Sequence, residues 1–347
     1  MNKRHQSNNQ PLNKLSWQKY FKKNVKKVYF VFLTGLIILT ANFYVLGISV
    51  TNSSWASDGS GSTTDRPIAI NFQNNLYQIA RGSSNKLYIR CLCYNSVAAL
   101  SSWLAVPNSD TKTSPAASVF GGRLWIAALG NQNTIYTTST ADGSSFNSWT
   151  ADLSSQTSLA PALATVNNSL YLSAVGFDRK IYTKKTSNGQ SWGNWFGGNQ
   201  DNTQYAVSLS AFQNILYMAA AGTDQKIYTR SSLDGQIWSE WNKDLDSGTL
   251  DTPALSQAVF NNGQNATSRL FLVATGTNQV IYLRYLENGA WSPWHVAEQL
   301  TSSSQSLMSP SGPSITTRLF SGENSETLYI LARQNNGQIL WLFVRQV

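Results

Sequence analysis

The chain has 347 residues, of which 41% are hydrophobic and 12% are charged, and it carries a formal net charge of +9. Eight of these nine charges come from the lysines and arginines of residues 1–27, a segment without any acid, so the remainder is nearly neutral. A basic face on the main part of the chain, which a nucleic-acid-binding domain would need, is therefore not predicted, and we expect no nucleic-acid partner.

Residues 28–50 form an uncharged, mostly apolar run of 23 residues. A membrane helix needs ~20 such residues, so this run predicts a transmembrane signal anchor. Because the basic residues precede it, the positive-inside rule places the tail, residues 1–27, in the cytoplasm and the rest of the chain outside. The alternative is a cleaved signal peptide, whose apolar core is shorter, ~7–15 residues. The expected product is a single-pass membrane protein, or a secreted one if the signal is cleaved.

A leucine followed by an aromatic residue recurs six times after this run, at spacings of 46 to 58 residues. The pairs are Leu76-Tyr77, Leu124-Trp125, Leu170-Tyr171, Leu216-Tyr217, Leu270-Phe271 and Leu328-Tyr329. A further aromatic residue follows each pair: Tyr88, Tyr136, Tyr182, Tyr228 and Tyr282 eleven residues on, and Trp341 twelve residues on. Repeats of this length are typical of propeller blades with four strands each.

Each copy predicts the same order of strands and turns. A proline opens the first strand in five copies, the leucine-aromatic pair lies in the second, and Ile-Tyr or Leu-Tyr marks the third. Asn-Gly or Asp-Gly then predicts a tight turn, and paired aromatic residues begin the fourth strand. The sixth copy ends after its third strand, but residues 54–58 resemble the missing fourth one. The fold class is therefore all-β, with residues 51–347 forming a six-bladed β-propeller closed by its N-terminal strand and preceded by one transmembrane helix.

Two sets of repeated positions are candidates for ligand contact. A cation stands two residues after the third-strand tyrosine, on the same face, in four copies: Arg90, Lys184, Arg230 and Arg284. The second residue of each aromatic pair is a tryptophan: Trp149, Trp195, Trp241 and Trp294. Arginine offers several fixed donors for hydroxyl groups, and an exposed tryptophan can stack on a sugar. The alternatives are cations that are solvated or paired across strands, and tryptophans that pack in the core.

The sequence offers few motifs for metal binding, cofactor binding or catalysis. We find no histidine and cysteine cluster, phosphate loop or nucleotide fingerprint, and so predict no metal, no cofactor and no catalytic residue. Cys91 and Cys93 lie two apart on one strand face, a poor geometry for a mutual bridge, and are expected to be free thiols.

The units IYTRSSLDGQIWSEW (residues 227–241) and IYTKKTSNGQSWGNW (residues 181–195) resemble repeats of the tectonin and fucose-binding propeller lectins, including bacterial lectins of the Photorhabdus type. The resemblance covers nearly all of the chain after residue 51. It implies a multivalent lectin that binds glycans or glycoconjugates in pockets between blades and is not an enzyme. Arg230 and Trp241 belong to the best-preserved copy and are expected to line a pocket.

The turns also resemble the Asp boxes of sialidases, with Gly235 and Trp238 at the expected spacing but Asp234 displaced by one residue. That family requires three arginines, a tyrosine with its glutamate and a further acid. The only approach to its Arg-Ile-Pro motif is Arg66-Pro67-Ile68, in another order. A sialidase-like glycoside hydrolase therefore remains one alternative, and a propeller that binds other proteins is another. The oligomeric state is not indicated.

Overall fold

The structure, a computed structural model, describes residues 55–57, 59–93, 101–198, 201–261, 265–297, 308–320 and 323–344. The chain divides into two units, Met1–Ser49 and Val50–Val347, and the described residues all belong to the second. The predicted tail and transmembrane segment, residues 1–50, lie outside the described residues. In the described part, no helix is long and apolar enough to cross a membrane.

Six antiparallel sheets follow one another along the chain, one for each repeat. The first holds β1 (Ile68–Phe72), β2 (Asn75–Arg81), β3 (Leu87–Leu92) and β4 (Leu104–Ala105), and the second holds β5 (Ala116–Phe120), β6 (Arg123–Leu129), β7 (Ile135–Thr140) and β8 (Thr150–Asp152). The third holds β9 (Ala162–Val166), β10 (Ser169–Val175), β11 (Ile181–Thr186) and β12 (Phe196–Gly197), and the fourth holds β13 (Val207–Phe212), β14 (Ile215–Ala221), β15 (Ile227–Ser232) and β16 (Asn242–Asp244). The fifth holds β17 (Ala254–Asn261), β18 (Ala266–Thr275), β19 (Ile281–Glu287), β20 (Ala290–Trp291) and β21 (His295–Val296), and the sixth holds β22 (Ser314–Arg318), β23 (Thr327–Arg333) and β24 (Ile339–Val344). The predicted six-bladed, all-β propeller is confirmed.

The first strands of the six sheets form the inner ring of the propeller. Each contacts the first strand of the next blade, and β22 contacts β1, so the ring is complete. These strands surround a central cavity of about 400 Å³, lined mainly by small and aliphatic side chains. Arg66, which precedes β1, is the one charged residue among the described residues that line this cavity.

The N-terminal segment closes the ring, as the repeat pattern predicts. The sixth sheet has three strands of its own, and Ala56 pairs with Trp341 of β24 through two backbone N–H···O bonds of 3.0 Å. Ile339 donates its N–H to the carbonyl of Gly61 at 3.1 Å farther along the same edge. The outer edge of β24 is thus covered by the beginning of the propeller rather than left open for aggregation.

The apolar core lies between blades, because each sheet buries its faces against its neighbours. The six leucines of the leucine-aromatic pairs are all fully buried. The adjoining aromatic ring reaches the turn of the next blade: a Cβ on Gly235 would lie 2.5 Å from Tyr171, and one on Gly189 would lie 2.4 Å from Trp125. Both glycines also have φ near +75°, so the turn requires glycine for its backbone and for this close packing.

The expectation of free cysteines is wrong. Cys91 and Cys93 form a disulfide, with their Cα atoms 5.1 Å apart. That separation lies within the usual range for a bridge, ~4.4–6.8 Å. The face-sharing argument assumed that both residues continue one strand, whereas β3 ends at Leu92 and Cys93 lies beyond it.

Candidate functional site

Three of the four candidate cations lie between the two tryptophans of their own blade. The Arg230 guanidinium is 4.7 Å from the Trp238 ring centre and 4.1 Å from that of Trp241. The same arrangement holds for Lys184 with Trp192 and Trp195, and for Arg284 with Trp291 and Trp294. Cations attract the faces of tryptophan rings, so each side chain also orients the two rings around it.

Each of these cations also binds a carboxylate that the chain supplies before that blade begins. Arg230 donates to both oxygens of Asp201, at 3.0 and 2.8 Å, and the Trp241 Nε1–H donates to the same carboxylate at 2.8 Å. Lys184 pairs with Asp152 of β8, and Arg284 pairs with Asp244 of β16. Trp294 repeats the indole bond, donating to Asp244 at 2.9 Å. We call each set of cation, carboxylate and tryptophan pair an inter-blade clamp.

The clamp cations are withdrawn from solvent. The side chains of Arg230 and Asp201 are only 9% and 8% exposed. Burial lowers the pKa of the Arg230 guanidinium, and the neighbouring Asp201 charge acts in the opposite direction. Burial likewise lowers the pKa of Lys184, opposed by its bond to Asp152. These cations therefore lie behind the tryptophans instead of facing an open cavity.

The first and second blades differ from these three at the cation position. Arg90 is also buried, lies 4.3 Å from the Trp103 ring, and donates its Nε–H to Gln78 at 2.7 Å. In the second blade the position is Thr138, whose hydroxyl donates to the carbonyl of Asn147 at 2.7 Å. The second blade therefore has a candidate tryptophan, Trp149, without a cation behind it.

Pockets open between four successive pairs of blades, and all four have the same plan. Each is lined by the second tryptophan of the pair, the third-strand tyrosine and the glycine that ends the second strand. These residues are Trp149, Tyr136 and Gly130; Trp195, Tyr182 and Gly176; Trp241, Tyr228 and Gly222; and Trp294, Tyr282 and Gly276. The pocket volumes are, in that order, about 460, 280, 200 and 380 Å³. The structure thus places all four candidate tryptophans in equivalent pockets, half-buried.

Polar groups stand beside the tyrosine in these pockets. The Tyr182 hydroxyl donates to Asp178 at 2.7 Å, and the Tyr228 hydroxyl donates to Asp224 at 2.9 Å. The bond from Tyr182 lowers the pKa of Asp178, and a bond from Lys243 lowers that of Asp224 to about 2. Both carboxylates are exposed and ionised at neutral pH, so their free lone pairs can accept hydrogen bonds from hydroxyl groups.

The opposite wall of each pocket comes from the segment that connects two blades, and a buried threonine holds it in place. The backbone N–H of Thr203 donates to the carbonyl of Arg179, in the turn of the preceding blade, at 3.0 Å. The Thr203 hydroxyl donates to the carbonyl of Ala221 at 2.7 Å. Sequence reasoning missed these threonines, although they recur every 46 to 48 residues. They are Thr63, Thr111, Thr157, Thr203 and Thr249.

The sixth copy departs from the pocket plan. In the first blade Tyr88 pairs with Ala80, and the equivalent pair in the sixth blade is Leu340 with Ala332. Trp341, which the sequence places at the tyrosine position, is one residue farther along and buried. Because Trp341 follows Tyr329 by twelve residues instead of eleven, the position that a tyrosine occupies in the other blades is taken by Leu340.

No family model matches the chain, and no curated protein sequence matches it either. Several solved structures are similar in fold. AofleA from Arthrobotrys oligospora is 10% identical with a TM-score of 0.61, over 85% of this chain and 87% of that one. A variant of the Aleuria aurantia lectin in complex with Fucα1-6GlcNAc is 13% identical with a TM-score of 0.52, over 80% and 91%. A Trypanosoma rangeli sialidase is 11% identical with a TM-score of 0.53, over 85% of this chain and 57% of that one. At such identities these structures establish the propeller fold alone.

The clamps predict a loss of stability when the carboxylate is removed. Asp201→Ala should lower the free energy of unfolding by about 3–5 kcal/mol, because it leaves the Arg230 charge buried without its partner. Lys243→Ala is the matched control, since it breaks an exposed ion pair, with Asp224, in the same blade. Its effect should be much smaller. Denaturant unfolding of both variants measures the difference, and equal effects would contradict a buried clamp.

Proposed function

We propose that this protein is a multivalent carbohydrate-binding protein, a lectin that holds sugars in the pockets between its blades. The observation that carries the proposal is one pocket built four times, each with a half-buried tryptophan beside hydrogen-bonding groups. A sugar ring has an apolar face that packs on an aromatic ring and hydroxyl groups that need polar partners. Pockets that combine an apolar wall with a few placed polar groups suit such a ligand.

The candidate cations support this function through the tryptophans. Lys184, Arg230 and Arg284 lie behind the indole rings and pair with acids, so their proposed role is to fix the orientation of the stacking face. A ring that is held before the ligand arrives costs less ordering entropy on binding. Direct contact of these cations, or of Arg90, with a sugar stays a prediction.

The repetition of the pocket favours binding over catalysis. A glycosidase needs one set of acids in one place, whereas lectin sites can recur around a ring. The sialidase likeness is one of fold, and the central cavity near Arg66 carries no comparable cluster among its described lining residues. The complex of the similar Aleuria aurantia lectin with a fucosylated disaccharide supports a saccharide ligand, and the repeat sequences support a relation to tectonin-type lectins.

Several weak sites on one ring would act together. A monosaccharide buries little surface, and much of its interaction energy offsets lost freedom and hydration, so each site is expected to be weak. Simultaneous engagement of several pockets can raise apparent affinity by ~10²–10⁴ over one site. Attachment of many copies to a membrane through residues 28–50 would add to this effect, and the tail before that segment would lie in the cytoplasm.

This membrane topology predicts a defined pattern of protease sensitivity. An N-terminal epitope should be protected from protease in intact cells and become accessible on lysis, whereas a C-terminal epitope should be accessible from the start. The physical reason is the excess of basic residues on the cytoplasmic flank of the apolar run. Recovery of a released chain that begins near Val50 would instead show cleavage of the signal.

The pocket assignment predicts the outcome of removing one tryptophan. Trp149 is the cleanest choice, because its indole N–H donates only to the carbonyl of Pro107, at 2.8 Å, and position 138 holds no cation. Trp149→Ala should reduce the number of monosaccharides bound per chain by about one, since stacking on one aromatic face contributes ~1 kcal/mol or more to a weak site. Calorimetry with the best sugar from a glycan array measures this number.

Trp149→Phe is the control, because it keeps an aromatic face and should retain the site. Unchanged binding in Trp149→Ala would contradict this pocket assignment. No binding of any glycan by the parent protein would contradict the lectin proposal itself.

A further inference from the structure

One pocket differs from the other three in the residue at its rim. Between the second and third blades, Phe177 lines the pocket together with Trp195 and Tyr182. Phe177 occupies the first turn position after Gly176 and is 56% exposed. A large apolar side chain that a turn does not need for packing exposes surface that water solvates poorly.

The same turn position is polar in the three equivalent pockets. It is Asn131, Thr223 and Thr277 in the pockets that contain Trp149, Trp241 and Trp294. The pocket between the second and third blades therefore has an aromatic ring where its counterparts have an amide or a hydroxyl. The tryptophan is common to all four pockets, and the carboxylate of Asp178 has its counterpart in Asp224 of the Trp241 pocket.

Two more exposed apolar residues are adjacent in sequence to residues that line this pocket. Leu153, which precedes the lining residue Ser154, is 85% exposed, and Phe196, which follows Trp195, is also exposed. Phe177 takes no part in the polar contacts of the pocket, in which Asp178 accepts a hydrogen bond from Tyr182 and Trp195 donates one to Ser154 at 3.2 Å.

We propose that this pocket is specific for glycosides that carry an apolar, aromatic-sized group next to the sugar ring. The inference rests on the proposed function, because it assigns the sugar to Trp195 and the appended group to Phe177. Hydroxyl groups of the sugar bind the free lone pairs of Asp178, and the apolar group covers the Phe177 ring. The other three pockets, with polar residues at this position, bind the sugar without preference for the appended group.

The test compares paired methyl and phenyl glycosides of fucose, galactose, mannose, glucose and N-acetylglucosamine by calorimetry on the full chain. In the parent, the phenyl form should bind one site per chain about tenfold more tightly than the methyl form. Burial of about 50–60 Å² of apolar surface produces a change of that size. Phe177→Thr, which installs the residue found at position 223, should bring the phenyl-to-methyl ratio to about one.

The reciprocal change supplies a gain of function. Thr223→Phe should create a second site that prefers the phenyl glycoside, in the pocket of Trp241. Leu233→Thr removes an exposed leucine that borders none of the four pockets and should leave the ratio as in the parent. Melting temperatures of all variants verify that each is folded.

The outcomes separate the two proposals. Equal binding of methyl and phenyl forms by the parent, or an unchanged ratio in Phe177→Thr, overturns the role of Phe177 and leaves the lectin function standing. Loss of the preference in Leu233→Thr overturns it too, because it indicates non-specific apolar adsorption. If no glycoside of either kind binds, the lectin proposal fails and this inference fails with it.

Discussion

The structure depends on charges that are buried between blades and neutralised there. Burying a cation between two tryptophans without a carboxylate partner would lower the stability of the fold. Asp201 neutralises the charge of Arg230 and accepts two hydrogen bonds from it. The same carboxylate accepts from Trp241 and lines the pocket in front of it. One side chain thus joins two blades, orients an aromatic face and forms part of a pocket wall, so the packing of the ring and the shape of the site have a common cause.

The repeat made most of the fold predictable from the sequence. Each Leu-aromatic pair identifies a second strand because only a strand buried between blades needs both residues, and the Asp-Gly turns fix where the next strand begins. The closing strand was predictable because the sixth copy has no fourth strand of its own and residues 54–58 resemble the fourth strand of another copy. The argument from alternating strand faces failed at Cys93, because β3 ends at Leu92. The argument from repeat spacing failed at Trp341, because one extra residue places Leu340 at the tyrosine position.

The site was less predictable than the fold, because sequence spacing gives the face of a strand but not what covers it. Tyr228 and Arg230 share a face as expected. The acid that pairs with Arg230 lies in the connection after β12, whereas the acids that pair with Lys184 and Arg284 lie in the fourth strands β8 and β16. No fixed spacing joins the cations to these partners. The copies have also diverged at the pocket rim, as Phe177 illustrates, which gives one ring several versions of a common pocket.

The most direct test of the account is a crystal structure of the protein soaked with a monosaccharide that it binds in solution. We expect density for the sugar against the indole faces of Trp149, Trp195, Trp241 and Trp294, with the blades unmoved because the clamps already hold the rings of the last three. A sugar found only in the central cavity, beside Arg66, would contradict the assignment of function to the pockets between blades.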